Sequence, residues 1–166
     1  MIDLKGADGN YHQVRAIIDS GSTFSYVSSY IATRLSIPLI CAAYTTWLDV
    51  MGTNQETTVP VVLTEFKPVG KSKPVFYSET WVKPAAIVPA YPVNGVAPQL
   101  IRAFKSLGNL ADPNFDNPRQ VDFMIGADTF PHILNGKLGK LEDPLFPGPV
   151  AQGSVFGWLV TGRTRW

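Results

Sequence analysis

The residues best suited to chemistry sit together in one short stretch. Asp19-Ser20-Gly21-Ser22 closes the apolar run Val14-Arg15-Ala16-Ile17-Ile18. A carboxylate flanked by two hydroxyls would then stand at the end of a buried strand, the rigid kind of support that catalysis requires. Asp-Ser-Gly alone is a common turn, and its place directly after a strand is what gives it weight. Gly21 is expected to take a positive φ and tighten that turn. The Ser20 and Ser22 hydroxyls would lie within reach of neighbouring backbone or of the Asp19 carboxylate. The second feature is Met124-Ile125-Gly126-Ala127-Asp128, two apolar residues and a glycine leading into a helix. A chain can pass close beneath a catalytic turn only where a side chain is missing, so Ile125 and Gly126 are expected under Asp19.

Competing chemistries have weaker support. Ser22 or Ser25 with His12 and an aspartate could form a hydrolase triad, but no Gly-x-Ser-x-Gly elbow exists. His12 and His132 read as surface or capping residues. Asp128 invites a role as a second catalytic aspartate, but its place before a helix fits an N-cap better. Asp112-Pro113 reads as a turn without calcium-loop spacing. One cysteine, Cys41, and two histidines cannot supply a usual zinc set, and one cysteine cannot form an intramolecular disulfide. Neither a metal nor a cofactor is expected.

The elements that must position Asp19 read as strands and turns. Asp8-Gly9 is a hairpin turn between Met1–Lys5 and a Val14–Ile18 strand. Tyr26, Tyr30, Ile31 and Leu35 have helical spacing, predicting a short helix over 26–35. Thr45–Val50 and Thr57–Phe66 flank Met51-Gly52-Thr53-Asn54 as the arms of a hairpin with Gly52 at its tip, Pro60 marking one arm as an edge strand. A further strand from Pro74 to Val88 is broken at Pro84, and prolines 89, 92 and 98 make an extended connector. Gln99–Leu107 is an amphipathic helix ending at Gly108. Ala111–Pro118 and Leu141–Pro149 are loops, Val121–Gly126 is a buried strand, and Val155–Thr161 is the last strand. The four tryptophans, 47, 81, 158 and 166, read as core or interface residues.

Composition agrees with a single strand-rich domain over residues 1–166. Fourteen glycines and fourteen prolines are too many for a helical bundle, while 45% hydrophobic residues exclude wholesale disorder. Fourteen basic against thirteen acidic residues leave a net charge of +1. That balance offers nothing to hold a nucleic-acid backbone or an anionic membrane surface. No apolar run approaches the ~20 residues of a membrane helix, and no signal segment is visible at Met1. An intracellular setting is expected.

The three blocks together resemble the retropepsin-like aspartic peptidases, and among them the Pao/BEL retrotransposon peptidases. The first block is Val14–Val27, containing Asp19-Ser20-Gly21-Ser22. The second runs from Leu110-Ala111-Asp112-Pro113-Asn114-Phe115 into Val121–Asp128. The third is Gly148-Pro149-Val150-Ala151-Gln152 followed by Phe156–Gly162. They occur in the family's order and span most of the chain.

That resemblance implies a mainly β fold, a retropepsin-like closed barrel with one or two short helices. It implies an aspartic endopeptidase that cleaves its own retrotransposon polyprotein, in the cytoplasm or in virus-like particles, as a domain of a longer Gag–Pol-type product. One Asp-Ser-Gly per chain is half a site, so Asp19 would meet its counterpart across a homodimer. Ser20 would brace the two loops across the dimer, and Ser22 would donate to a catalytic carboxylate. Met51, Gly52 and Thr53 would tip the flap. The excess length over a minimal retroviral protease, between Phe66 and Pro118, has no assigned role. The alternative is a catalytically silent dimerisation or binding module, against which the intact Asp19, Ser20 and Gly21 argue.

Overall fold

A computed structural model describes residues 1–48, 54–92, 95–140 and 149–162. Its elements in chain order are β1 (Ile2–Lys5), β2 (Tyr11–Val14), β3 (Ala16–Ile18), β4 (Tyr26–Ser28), α1 (Ser29–Arg34), β5 (Leu39–Leu48), β6 (Asn54–Pro68) and β7 (Phe76–Lys83). There follow β8 (Val88–Tyr91), α2 (Pro98–Ser106), β9 (Arg119–Val121), β10 (Phe123–Ile125), α3 (Phe130–Ile133), β11 (Leu134–Lys140), β12 (Val150–Ser154) and β13 (Gly157–Thr161). The chain is mainly β, as composition and turn spacing require.

Eight strands form one sheet in the order β2-β1-β6-β7-β4-β10-β3, with β5 paired to β6. Its two terminal strands, β2 and β3, are separated in sequence only by Arg15. A sheet whose ends are chain neighbours must curl back on itself, and the result is a nearly closed barrel. Its interior is filled by one face of each strand, following the period-two rule. Ile2 and Leu4 of β1, Phe66 of β6, Phe123 and Ile125 of β10, and Ile31 of α1 are all buried there. Phe66 and Phe123 meet with ring centroids 5.2 Å apart. Each such side chain contributes roughly 1.5–3 kcal/mol of burial, so the strands that carry them are firmly held.

A smaller cluster joins α2 to a three-stranded sheet, β11-β12-β13, through Leu100, Phe104 and Ala151. Leu100 and Phe104 stand one helical turn apart, as the amphipathic pattern demands. Gly108 follows α2 with φ +65°, a conformation that only glycine adopts without cost.

Several expectations are corrected. The Val14–Ile18 run is two strands, β2 and β3, broken at Arg15, whose guanidinium turns to partners outside the barrel. The helix expected from Tyr26 starts at Ser29, because Tyr26–Ser28 is drawn into the sheet and the Ser28 Oγ accepts from Ile31 N (3.2 Å) as N-cap. The helix after Asp128 is one turn, α3, and the chain returns at once as β11. The connector after Pro84 contains β8, which pairs with β9. The buried strand expected over Val121–Gly126 pairs from two sides, as β9 up to Val121 and β10 from Phe123. The last strand begins at Gly157, after a tight turn in which the Ser154 hydroxyl donates to Gly157 O (2.7 Å). The hairpin arms are longer than expected, pairing Leu39 with Val62 and Leu48 with Asn54. Its proposed tip, Met51, Gly52 and Thr53, lies outside the described residues. Pro60 stands one residue past Val61, the last β6 residue paired with β7, where β6 has a partner on one side only.

Candidate active site

Asp19 follows β3, and its position is set by the strand beside it. β10 lies between β3, which it pairs in parallel, and β4, which it pairs antiparallel. The strands leading into and out of the Asp19 turn are thus splayed apart, and β10 fills the gap between them. The turn itself rests on the end of β10. Asp19 N donates to Ile125 O (3.0 Å), Ala127 N donates to Ser22 O (2.8 Å), and Ser22 N closes the turn on Asp19 O (3.1 Å).

Gly126 explains why the two layers approach so closely. A Cβ built there would lie 2.3 Å from Phe24 O, 2.5 Å from Phe24 C and 2.9 Å from Ser22 O. All three are backbone atoms, which cannot swing aside. The sequence placed Ile125 and Gly126 under the turn, and both touch it.

The Asp19 carboxylate is exposed and accepts one bond of its own loop, from Gly21 N to Oδ1 (3.0 Å). An ionised carboxylate has about four acceptor sites, so most of its capacity faces outward. Gly21 does not take the expected positive φ. Its use is different: an added Cβ would lie 3.3 Å from Asp19 Oδ1, tighter than ordinary packing, so glycine leaves room for the carboxylate over its amide. Ser22 also departs from expectation. Its hydroxyl donates to Phe24 O (2.9 Å), within its own turn. Ser20 is exposed and borders a cavity of about 290 Å³ walled by Ala16, Ile18, Phe115, Trp158 and Val160.

Asp128 is not a helix cap. Thr129 takes the cap position and makes no side-chain cap bond. The Asp128 carboxylate instead accepts from Ser25 Oγ (2.8 Å) and Ser78 Oγ (2.9 Å), and Ser25 Oγ in turn accepts from Gly126 N (3.1 Å). Ser25 and Ser78 are both buried, so their hydroxyls need partners, and an ionised carboxylate satisfies two donors at once. This set was missed in the sequence. The partners lie in three separate segments, and no spacing joins them.

Arg15 was also missed. Its side chain is 8% exposed, and Nε donates to Asp112 Oδ2 at 2.7 Å. Its terminal nitrogens donate to Tyr91 O (2.8 Å), Asn117 O (2.9 Å) and Asn114 O (3.0 Å). One guanidinium therefore ties the segment between β7 and β10 to the start of β3. The signal was present, since an arginine inside an apolar run has to be paired where it is buried.

The remaining candidates stay apart from this centre. His12 Nε2 lies 3.4 Å from Asp8 on the surface, and His132 is exposed on α3. Among the described residues no group of three or more His, Cys, Asp or Glu side chains could hold a metal ion. No described helix is long and apolar enough to cross a membrane. Trp81 stacks on Phe24 with centroids 4.6 Å apart, beside the site, while the Trp47 side chain and Trp166 lie outside what is described. Comparison of the chain with family models, curated proteins and solved structures gives no match.

Proposed function

We propose that two copies of this chain form one aspartic endopeptidase of the retropepsin type, each contributing one Asp19. The observation that carries this reading is an exposed carboxylate on a turn clamped from behind by Gly126, with most of its acceptor capacity directed outward. Two such carboxylates within a few ångströms cannot both ionise, so they share a proton. The ionised one takes a proton from water, which attacks the scissile carbonyl. The protonated one hydrogen-bonds the carbonyl oxygen as a tetrahedral intermediate forms, and no covalent adduct is needed. Ser20 would brace the opposing turns. The hairpin β5–β6 projects beyond its pairing with β7 and would serve as the lid over an extended polypeptide, for which the substrate class is the element's own polyprotein. The Pao/BEL-type blocks in the sequence support the finer family assignment.

Cleavage of a polypeptide substrate by the purified chain, blocked by a statine-class transition-state analogue, tests this reading. Specific activity should rise with enzyme concentration below the dimer dissociation constant and level off above it. Concentration-independent turnover from a species that sediments as a monomer overturns the shared site. A dimer that cleaves nothing identifies a binding module instead.

A further inference from the structure

The carboxylate that looked like a helix cap occupies a more consequential place. The Ser25 hydroxyl donates its single hydrogen bond to Asp128 Oδ1 (2.8 Å), which leaves the Ser25 oxygen free to accept from Gly126 N–H (3.1 Å). A serine has one donor, so this direction is forced once Asp128 is the acceptor. Ser78, on β7, donates to the other oxygen of the same carboxylate (2.9 Å). Three elements converge here: β7, the chain entering β4, and the residues directly after β10. Gly126 is the residue at which an added Cβ would lie 2.3 Å from the Phe24 carbonyl oxygen, and its neighbour Ala127 donates to Ser22 O (2.8 Å). The relay therefore ends on Gly126, between Ile125, whose carbonyl accepts from Asp19 N, and Ala127, whose amide donates to Ser22 O. Ser25 also offers its carbonyl to Trp81 N (3.0 Å), so its backbone cannot drift to compensate.

We propose that Asp128 is a positioning residue for the Asp19 turn, acting through Ser25 and Gly126 and taking no part in bond making. As to activity this rests on the endopeptidase reading above; as to structure it stands by itself. Without Asp128 the Ser25 hydroxyl is free to rotate, Gly126 N–H loses its fixed acceptor, and the turn loosens while the distant barrel stays intact.

Asp128→Ala, Asp128→Asn and Ser25→Ala test this by two independent readouts. The first is kinetic. Asp128→Ala and Ser25→Ala should lower kcat by about 100-fold, the cost of a reacting group displaced by about 1 Å, with KM within a few-fold of wild type. Asp128→Asn keeps an acceptor oxygen for Ser25 and an amide that Ser78 can accept from, so it should recover most of that loss. With kcat expressed per folded enzyme, a general loss of folded protein would leave all three variants at the wild-type value. The second readout is amide hydrogen exchange, which needs no turnover. Gly126 and Ala127 should exchange at least about tenfold faster in Asp128→Ala, with Leu4 and Phe66 unchanged. If Asp128→Ala does not fold, the same comparison is made with Ser25→Ala and Ser78→Ala. Unchanged exchange at Gly126 in a folded variant overturns the relay whatever turnover does. Should the wild type cleave nothing, the endopeptidase reading fails and the exchange rates still decide the relay.

Discussion

Strand β3 has a charged residue at each end, and the two are built in opposite ways. Arg15, before it, is 8% exposed, with four hydrogen bonds to one carboxylate and three carbonyls. Asp19, after it, is exposed and accepts one bond from its own loop. A charge surrounded by fixed partners has no capacity left for chemistry. A charge held by its backbone, with most of its acceptor capacity free, does. Arg15 anchors the segment between β7 and β10 to the barrel, and Asp19 is presented from it. The backbone of β3 is rigid between them because β10 pairs along its whole length.

The sharpest way to break that comparison is Asp19→Asn. The amide is nearly isosteric and can accept the Gly21 N–H, so the melting temperature should stay within a degree or two. Turnover should fall by on the order of 10²–10⁴, and excess Asp19→Asn mixed with wild type should poison activity through mixed dimers. Retained turnover would show that Asp19 does no catalysis.

Gly126→Ala attacks the clamp behind the same turn. Its methyl group meets Phe24 and Ser22 backbone at 2.3–2.9 Å, so either β10 or the turn must move. A loss of about 3 kcal/mol in denaturant unfolding is expected, at the upper end of overpacking, with turnover reduced as well. A variant as stable as wild type would mean that the two layers are not in contact.

Asp112→Ala tests the opposite end of β3. It leaves the Arg15 guanidinium buried without its counter-charge, which costs about 3 kcal/mol for a fully buried pair. Because Asp112 is 18% exposed and three carbonyls remain, a loss nearer 2 kcal/mol is expected. Exchange should accelerate in β8 and residues 109–118 before it does in β10. Uniform acceleration would show that this segment is no separate unit.

Glu65→Gln is expected to have the smallest effect, and it reads out through pH. Glu65 accepts from Tyr11 OH and from Lys5 Nζ (2.9 Å), and the Tyr11 bond first, then Lys5, hold its carboxyl below the usual range. A depressed carboxylate contributes stability above the ordinary glutamate value of 4.5 and loses it as pH falls through the lower native value. Tyr11 is the mirror case: the bond to Glu65 pushes it from 10.0 up to about 12. Its contribution is complete below pH 10 and is lost as pH rises toward about 12. Melting temperature against pH should thus fall at both edges in the wild type, and both slopes should flatten in Glu65→Gln. Unaltered slopes would assign them to other groups.

Much of the site was legible in local patterns. The Val14–Ile18 run ending at Asp19, the glycine after Ile125 and the α2 periodicity of Leu100 and Phe104 each depend on residues a few positions apart. So does the Asp8-Gly9 turn, where Gly9 takes φ +79°. Period, turn chemistry and propensity act at that range, and one chain reveals them. The breaks at Arg15 and Asp122 were hidden because apolar runs look continuous until their partners are known.

Sequence alone determined which residues could do chemistry, and that each chain offers one Asp-Ser-Gly turn. Tertiary structure decided what surrounds it: that β10 would separate β3 from β4, that Asp128 would receive Ser25 rather than cap α3, and that Arg15 would hold the segment between β7 and β10. The bonds responsible join residues 103 apart for Ser25 and Asp128, 101 apart for Gly126 and Ser25, and 97 apart for Arg15 and Asp112. Local propensity carries no information across such separations. They are settled only when burial forces every polar group to find whatever partner the closed sheet has brought beside it.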